Sequence, residues 1–129
     1  MMPWILGLLA SLLFVAPAWA IDFTVTGASV TATYIEPTMN ADVTPLTDLA
    51  KTNVYYQLPG GTSVKGPDVA ASRPQGGGAI STQVTVPVVA GQDVLVTFWA
   101  TATDTSGNES ARSTEVQRRI DRLAPAAPN

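Results

Sequence analysis

Short segments in which apolar and polar side chains alternate, separated by turns, constrain the fold of this chain more than any other feature. In the clearest of them, residues 80–88 and 94–103, every second side chain is Val, Ile, Phe, Ala or Thr. A period of two residues is typical of a β-strand with one buried face. No stretch of the chain combines an apolar period of 3.6 residues with helix caps. The sequence therefore predicts an all-β fold.

Seven segments fit the strand pattern, and clusters of Gly, Pro, Asn and Asp separate them, as expected for turns. The predicted strands are residues 23–26, 30–35, 52–57, a short one at 62–65, 80–88, 94–103 and 111–120. Pro87 lies near the end of its strand, where the loss of one backbone donor is tolerable. Short strands with frequent turns predict an antiparallel sandwich or barrel.

The parity of the alternation indicates which side chains face the core. In the strand at residues 52–57 the apolar face includes Val54 and Tyr56, and in the strand at residues 94–103 it includes Val96 and Phe98. Tyr34 is the aromatic residue of the second strand. The candidate core anchors are Tyr34, Val54, Tyr56, Val96 and Phe98. In the last strand Arg118 has the same parity as its apolar neighbours. We therefore expect a bulge, or a strand end, before Arg118, because an inward guanidinium is costly.

The first 20 residues differ in composition from the rest of the chain. Residues 4–15 form an uncharged, largely apolar run that is shorter than the about 20 residues needed to span a bilayer. Pro17 follows the run, and Ala18 and Ala20 are the small residues that signal peptidase requires. We predict a signal peptide at residues 1–20, although no Lys or Arg precedes the apolar run; an uncleaved anchor or an apolar strand is the alternative. The mature protein is expected to be secreted or to reside in the periplasm or cell envelope, without stable membrane insertion.

The residue types that are missing limit the chemistry. The chain has no His and no Cys, which excludes Ser-His-Asp and Cys-His catalysis, imidazole or thiolate metal sites, and disulfides. Glu36, Asp42 and Asp48 lie in or beside a loop rich in Pro, Asn and Thr, where acidic residues serve turns and solubility. A net charge of −3 without a basic stripe argues against nucleic acid. We predict no enzyme activity, no metal site and no cofactor.

Two loop motifs need no ligand to explain them. Gly76-Gly77-Gly78 lacks the Lys-Ser/Thr of a phosphate-binding loop and predicts a flexible loop. Residues 104–108 resemble a calcium loop only in part, because Gly107 stands fourth and not sixth. We predict a hairpin turn in which Gly107 has a positive φ. Asn108-Glu109-Ser110 is also an N-glycosylation sequon, which matters only in a host that glycosylates.

The order of these landmarks resembles a fibronectin type III domain. In that family the second strand carries an inward Trp with a Pro three residues later, and here Tyr34-Ile35-Glu36-Pro37 takes that place. The third strand of the family is rich in Tyr, as is Val54-Tyr55-Tyr56. Residues 98–110 match an alternating sixth strand that runs into Ala-x-Asp-x-x-Gly-Asn-x-Ser. The resemblance covers nearly all of residues 22–122.

The resemblance implies an immunoglobulin-like Greek key, an antiparallel two-sheet β-sandwich of about seven strands at residues 21–122, followed by a Pro/Ala-rich tail at residues 123–129. Three residues depart from the family pattern. Tyr34 replaces the Trp, Thr52 stands where a Tyr is usual, and Val96 replaces the Tyr of the tyrosine corner. The Tyr34 hydroxyl then needs a partner in the core, and the missing corner bond costs about 1 kcal/mol.

The resemblance also implies that the third and sixth strands are neighbours. Parity places Tyr55 and Trp99 on the face away from the core, so these two residues are the candidate partner surface. An exposed Tyr–Trp pair is typical of a binding hot spot or a sugar-stacking platform. Cross-strand packing, or cover by the tail, is the alternative.

These observations predict an exported, non-enzymatic binding or spacer module that contacts an unknown protein or a surface glycan. It would act through the outer face of one sheet or through loops at one end. One alternative is a structural subunit of an envelope or virion-associated assembly, through edge strands or head-to-tail contacts. Residues 21–50 have four acids and no base, whereas residues 110–129 have four Arg against Glu115 and Asp121; this polarity favours head-to-tail contacts or is solvated surface. The other alternative is a carbohydrate-binding accessory domain that uses Tyr55 and Trp99.

Overall fold

The computed structural model describes residues 21–129, so the expected signal peptide lies outside the described residues. The described chain has eight β-strands and no helix, which confirms the all-β prediction. The strands are β1 (Asp22–Thr26), β2 (Ser29–Ile35), β3 (Leu49–Gln57), β4 (Ser63–Lys65), β5 (Val69–Ala70), β6 (Ala79–Thr85), β7 (Asp93–Asp104) and β8 (Val116–Asp121). Residues 21–129 contain no helix of the length and apolar character needed to cross a membrane.

The strands form two antiparallel sheets that face each other as a β-sandwich. The smaller sheet has the order β1-β2-β6, and the larger sheet has the order β4-β3-β7-β8, with β5 paired to the start of β3. At the centre of the larger sheet, Tyr55 of β3 lies opposite Trp99 of β7, and Tyr56 lies opposite Phe98. Successive residues therefore point alternately into the sandwich and away from it.

The core fills the space between the sheets. Phe23 of the smaller sheet stacks on Phe98 of the larger one, with ring centroids 5.0 Å apart. All five candidate anchors lie in this core: Tyr34, Val54, Tyr56, Val96 and Phe98. Burying a side chain of this size contributes about 2 kcal/mol. Burial of the inward-facing apolar side chains therefore provides most of the free energy that holds the two sheets together.

The hydroxyl of Tyr34 finds its partner on the facing sheet. Tyr34 Oη lies 2.6 Å from Thr52 Oγ1, and Thr52 is fully buried. These are two of the three positions at which the chain departs from the fibronectin type III pattern. A Thr on β3 thus satisfies the polar group that a Tyr on β2 brings into the core.

The last strand is shorter than predicted, because residues 110–115 run beside β7 without forming a regular ladder. Ser110 and Ser113 donate their N–H groups to the carbonyls of Ala102 and Ala100, at 2.8 and 2.9 Å. Their hydroxyls accept the N–H groups of Ala102 and Ala100, both at 2.9 Å. The step from Ser110 to Ser113 is one residue longer than the step it faces on β7, which is the geometry of a bulge.

The expected bulge before Arg118 is present, but it does not turn Arg118 away from the inner face, because Arg118 pairs with the buried Val96. β8 continues through Asp121, and the half-buried side chain of Arg118 reaches the edge of the smaller sheet. There Arg118 Nε donates to the carbonyl of Phe23 at 3.3 Å. The guanidinium avoids the apolar core because β1 offers it a backbone acceptor at the open side of the sandwich.

Candidate functional site

The predicted aromatic pair on the outer face of the larger sheet is packed together. Tyr55 and Trp99 are cross-strand partners, with ring centroids 5.7 Å apart and an interplanar angle of 8°. The guanidinium carbon of Arg112 lies 4.0 Å from the centroid of the Trp99 ring. Trp99 is consequently only 2% exposed. Of the two alternatives for Trp99, an exposed partner surface and cross-strand packing, the structure shows packing, because residues of the bulged segment cover its ring.

Glu109 holds the segment that covers Trp99 in place by hydrogen bonds to the sheet. The Tyr55 hydroxyl and the Thr101 hydroxyl both donate to Glu109 Oε2, the latter at 2.7 Å. These hydrogen bonds lower the pKa of Glu109, and the bond to Glu109 raises the pKa of Tyr55. The outer face therefore offers no open aromatic platform of the kind on which a sugar ring stacks. A role for Tyr55 and Trp99 as partner surface stays a prediction.

The loop between β2 and β3, at one end of the sandwich, is a better candidate for a binding site than the packed aromatic pair. Residues 39–45 close on themselves: Met39 bridges to Pro45, and Asn40 N–H donates to the carbonyl of Thr44 at 2.8 Å. Asp42 Oδ1 accepts the N–H and the hydroxyl of Thr44, at 3.1 and 2.6 Å. These bonds lower the pKa of Asp42. The loop is thus ordered by its own polar residues and needs no partner to hold its shape.

The hydrogen-bonded loop places two apolar side chains in solvent. Val43 has a φ of 69°, and among residues 21–129 it is the one residue other than glycine with a positive φ. Left-handed backbone is strained for a β-branched residue, at a cost of about 1–3 kcal/mol. Val43 is nevertheless 68% exposed, and Met39 is 56% exposed. We call Met39 and Val43 the apolar tip.

An open groove of about 570 Å³ separates this loop from residues 102–114. Its floor is the small apolar cluster of Leu46, Leu49 and Ala102, and Met39 and Ala111 line its walls. We call it the end groove. Met39 belongs both to the apolar tip and to the lining of the end groove, so the two features adjoin at one end of the molecule.

The rim of the end groove is mainly acidic. Asp104 and Glu109 line the groove, together with one cationic side chain, Arg112. Asp42 belongs to the adjoining loop, and the carbonyl of Asp48 accepts the N–H of Thr105 beside the groove. The groove lining itself therefore carries two carboxylates against one guanidinium, a net negative charge.

A buried carboxylate holds the neighbouring loop at residues 72–78. Glu36 is 2% exposed and accepts the N–H groups of Ser72 and Gly78, at 2.8 and 2.9 Å, and the hydroxyl of Ser72. Burial opposes ionisation, but these hydrogen bonds and the charge of Arg73 lower the pKa of Glu36 overall. The sequence suggested a turn or surface role for Glu36, whereas the structure gives it a buried one.

The three glycines that follow are packed, and the predicted flexible loop is wrong. Gly76 has a φ of 68°, and a Cβ at this position would lie 1.9 Å from the carbonyl oxygen of Pro37. Gly78 lies so close to Ser72 that a Cβ would approach the hydroxyl to 2.3 Å. The glycines are required because the loop backbone lies directly on the end of β2.

The turn at residues 104–108 has the form that the sequence predicts. Gly107 has a φ of 89°, and its N–H donates to the carbonyl of Asp104 at 3.0 Å. Asp104 Oδ1 accepts the N–H groups of Ser106 and Asn108, both at 2.9 Å, which lowers the pKa of Asp104. Asn108 is exposed, and its use as a glycosylation site stays a prediction. Across residues 21–129, no group of three or more acidic side chains is placed to hold a metal ion.

Comparison of the chain with models of protein families, with curated proteins and with solved structures found no match. The apolar tip and the end groove escaped the sequence interpretation. The available signal was the presence of Met39 and Val43 in a loop otherwise rich in Thr, Asn and Asp.

Proposed function

We propose that this chain is an exported, non-enzymatic binding module of fibronectin type III type, and that it binds its partner with the apolar tip and the end groove. The observation that carries the proposal is Val43. A β-branched side chain in left-handed backbone lowers stability, and its exposure to water brings no compensating burial. Burial of the Val43 side chain against a partner offsets the cost of this backbone strain. The surrounding hydrogen bonds keep the tip in one shape, which reduces the entropy lost on binding.

The strand pairing supports the fibronectin type III assignment. β3, β7 and β8 are neighbours in one sheet, while β1, β2 and β6 form the other. This is the grouping of the third, sixth and seventh strands in immunoglobulin-like sandwiches. In such folds the loops at one end of the sandwich are the usual recognition elements. The loop at residues 39–45 and the turn at residues 104–108 lie together at such an end.

Site-specific photocrosslinking in the exported fraction of the native host tests the proposal. A photoreactive residue at position 43 should yield a defined crosslinked species. The matched control is position 35, because Ile35 is also an exposed apolar residue, at 59%, but belongs neither to the apolar tip nor to the lining of the end groove. Equal yields from the two positions, or no product from position 43, would contradict the proposal.

A further inference from the structure

We infer that the end groove binds the Pro/Ala-rich tail, residues 123–129, of a second copy of this chain, so that copies associate head to tail. The inference rests on the proposed function and specifies the partner of that same site. It depends on three observations: where the tail begins, what it is made of, and how charge is distributed between the two ends.

The tail begins at the end of the sandwich opposite the groove. β8 runs antiparallel to β7, and Asp121 lies opposite Asp93, whereas the groove adjoins Asp104 at the other end of β7. A strand of 12 residues is about 36 Å long. Residues 123–129 extend at most about 25 Å from Arg122. The tail cannot enter the groove of its own chain, so its partner groove belongs to another copy.

The composition of the tail fits an apolar groove. Residues 123–129 are exposed throughout and carry no charged side chain, and Leu123 is 59% exposed. Two prolines within six residues favour an extended backbone, which loses little conformational entropy on binding. In the groove, Leu123 would contact the exposed side chains of Met39 and Ala111 on its walls, above the buried cluster of Leu46 and Leu49.

The charges of the two ends complement each other. The groove lining carries Asp104 and Glu109 against Arg112. Asp42 lies on the adjoining loop, and Arg73 lies on the loop at residues 72–78 of the same end. At the start of the tail, Arg119 pairs with Asp93 at 3.1 Å, and Arg122 donates to the carbonyl of Val88 at 2.8 Å. Arg122 makes no ion pair with a described residue, so its charge is available to an acidic partner. Association should therefore weaken as salt is added.

A head-to-tail contact leaves one free groove and one free tail on every assembly. Such heterologous contacts continue into open chains unless a ring closes. Because one short peptide segment forms most of the contact, we expect a weak affinity, with a Kd on the order of 100 μM.

Sedimentation velocity of the purified protein between about 10 μM and 1 mM, a range that brackets this Kd, is the first experiment. Wild type should show a sedimentation coefficient that rises with concentration. Met39→Asp, and a chain truncated after Arg122, should each associate at least tenfold more weakly. Ile35→Asp is the matched control and should behave as wild type. Circular dichroism checks that every variant is folded. A wild type that stays monomeric, or a truncated chain that associates as wild type does, overturns the inference.

A mixing experiment tests the polarity of the contact. Met39→Asp has an impaired groove and an intact tail, while the truncated chain has the reverse. At a concentration of about 100 μM each should be largely monomeric alone, and an equimolar mixture should form 1:1 heterodimers and nothing larger. Absence of heterodimers overturns the inference. If position 43 still crosslinks to a different protein after truncation of the tail, the inference fails while the proposed function stands.

Discussion

Two loops at the same end of the sandwich are each organised by one carboxylate, yet the two carboxylates act differently. Glu36 is buried and binds residues 36 and 42 positions further along the chain. Asp42 is exposed and binds Thr44, two positions away. The first set of bonds joins distant parts of the chain, so it should contribute to global stability. The second set shapes one loop only, so its loss should alter the loop and leave the sandwich intact.

The largest effect is expected where the loop at residues 72–78 lies on the end of β2. Gly76→Ala should reduce the free energy of unfolding by about 4 kcal/mol, because the new methyl group meets backbone that cannot move aside. Gly91→Ala is the matched control, since Gly91 has a φ of 92° and no atom lies within 4 Å of the position that a Cβ would take. It should cost about 1 kcal/mol. Equal losses in chemical denaturation would mean that backbone conformation, and not contact, determines the need for Gly76.

Removal of the buried charge should come next. Glu36→Gln should lower the free energy of unfolding by about 2 kcal/mol near pH 7, because charge-assisted hydrogen bonds become neutral ones. The pKa of Glu36 lies below its ordinary 4.5 in the folded protein. Its stabilising effect is therefore complete above that value and is lost as the pH falls through the folded pKa. Denaturation of both proteins across this range should show the difference shrinking on acidification; a constant difference would assign the effect to packing.

Asp42→Ala should separate local from global order. The midpoint of thermal unfolding should stay close to that of wild type, because the two bonds of Asp42 lie within an exposed loop. The amide hydrogen of Thr44 should nevertheless exchange faster, since it loses its acceptor. A fall in the midpoint as large as that of Glu36→Gln would remove the distinction between the two loops.

A small effect of opposite sign is expected at the apolar tip. Val43→Asn should raise the free energy of unfolding by up to about 1 kcal/mol, because Asn adopts left-handed backbone at lower cost than Val. The same change should reduce head-to-tail association in sedimentation. Destabilisation by Val43→Asn would show that Val43 serves the fold and would weaken the binding proposal.

The sequence predicted the long strands well, but it did not predict the segments that cover or border them. Alternation identifies which face of β7 carries Trp99, but it cannot show that Arg112, thirteen residues later, covers the ring. β8 begins late because the hydroxyls of Ser110 and Ser113 replace regular pairing, an arrangement with no periodic signal. β5 has only two residues, too few for any alternation.

The end groove was missed for a related reason. Its walls come from loops that meet only after the sheets have packed, so neither loop carries the pattern of a binding site. The φ of Val43 likewise follows from hydrogen bonds among Asn40, Asp42 and Thr44. Each of these residues is ordinary in a turn, and their joint effect on the backbone depends on the closed loop.

The hydrogen bonds of Ser110 and Ser113 to β7 also affect how this edge of the sheet can meet another molecule. A regular sheet edge presents evenly spaced N–H and C=O groups, on which a strand of another molecule can grow. Residues 110–115 form such an edge with two residues more than the part of β7 that they face, so the spacing of their backbone groups does not match that of a regular incoming strand. The irregular edge therefore disfavours edge-to-edge strand pairing between neighbouring copies at high concentration. This matters because the chain has no disulfide to limit unfolding.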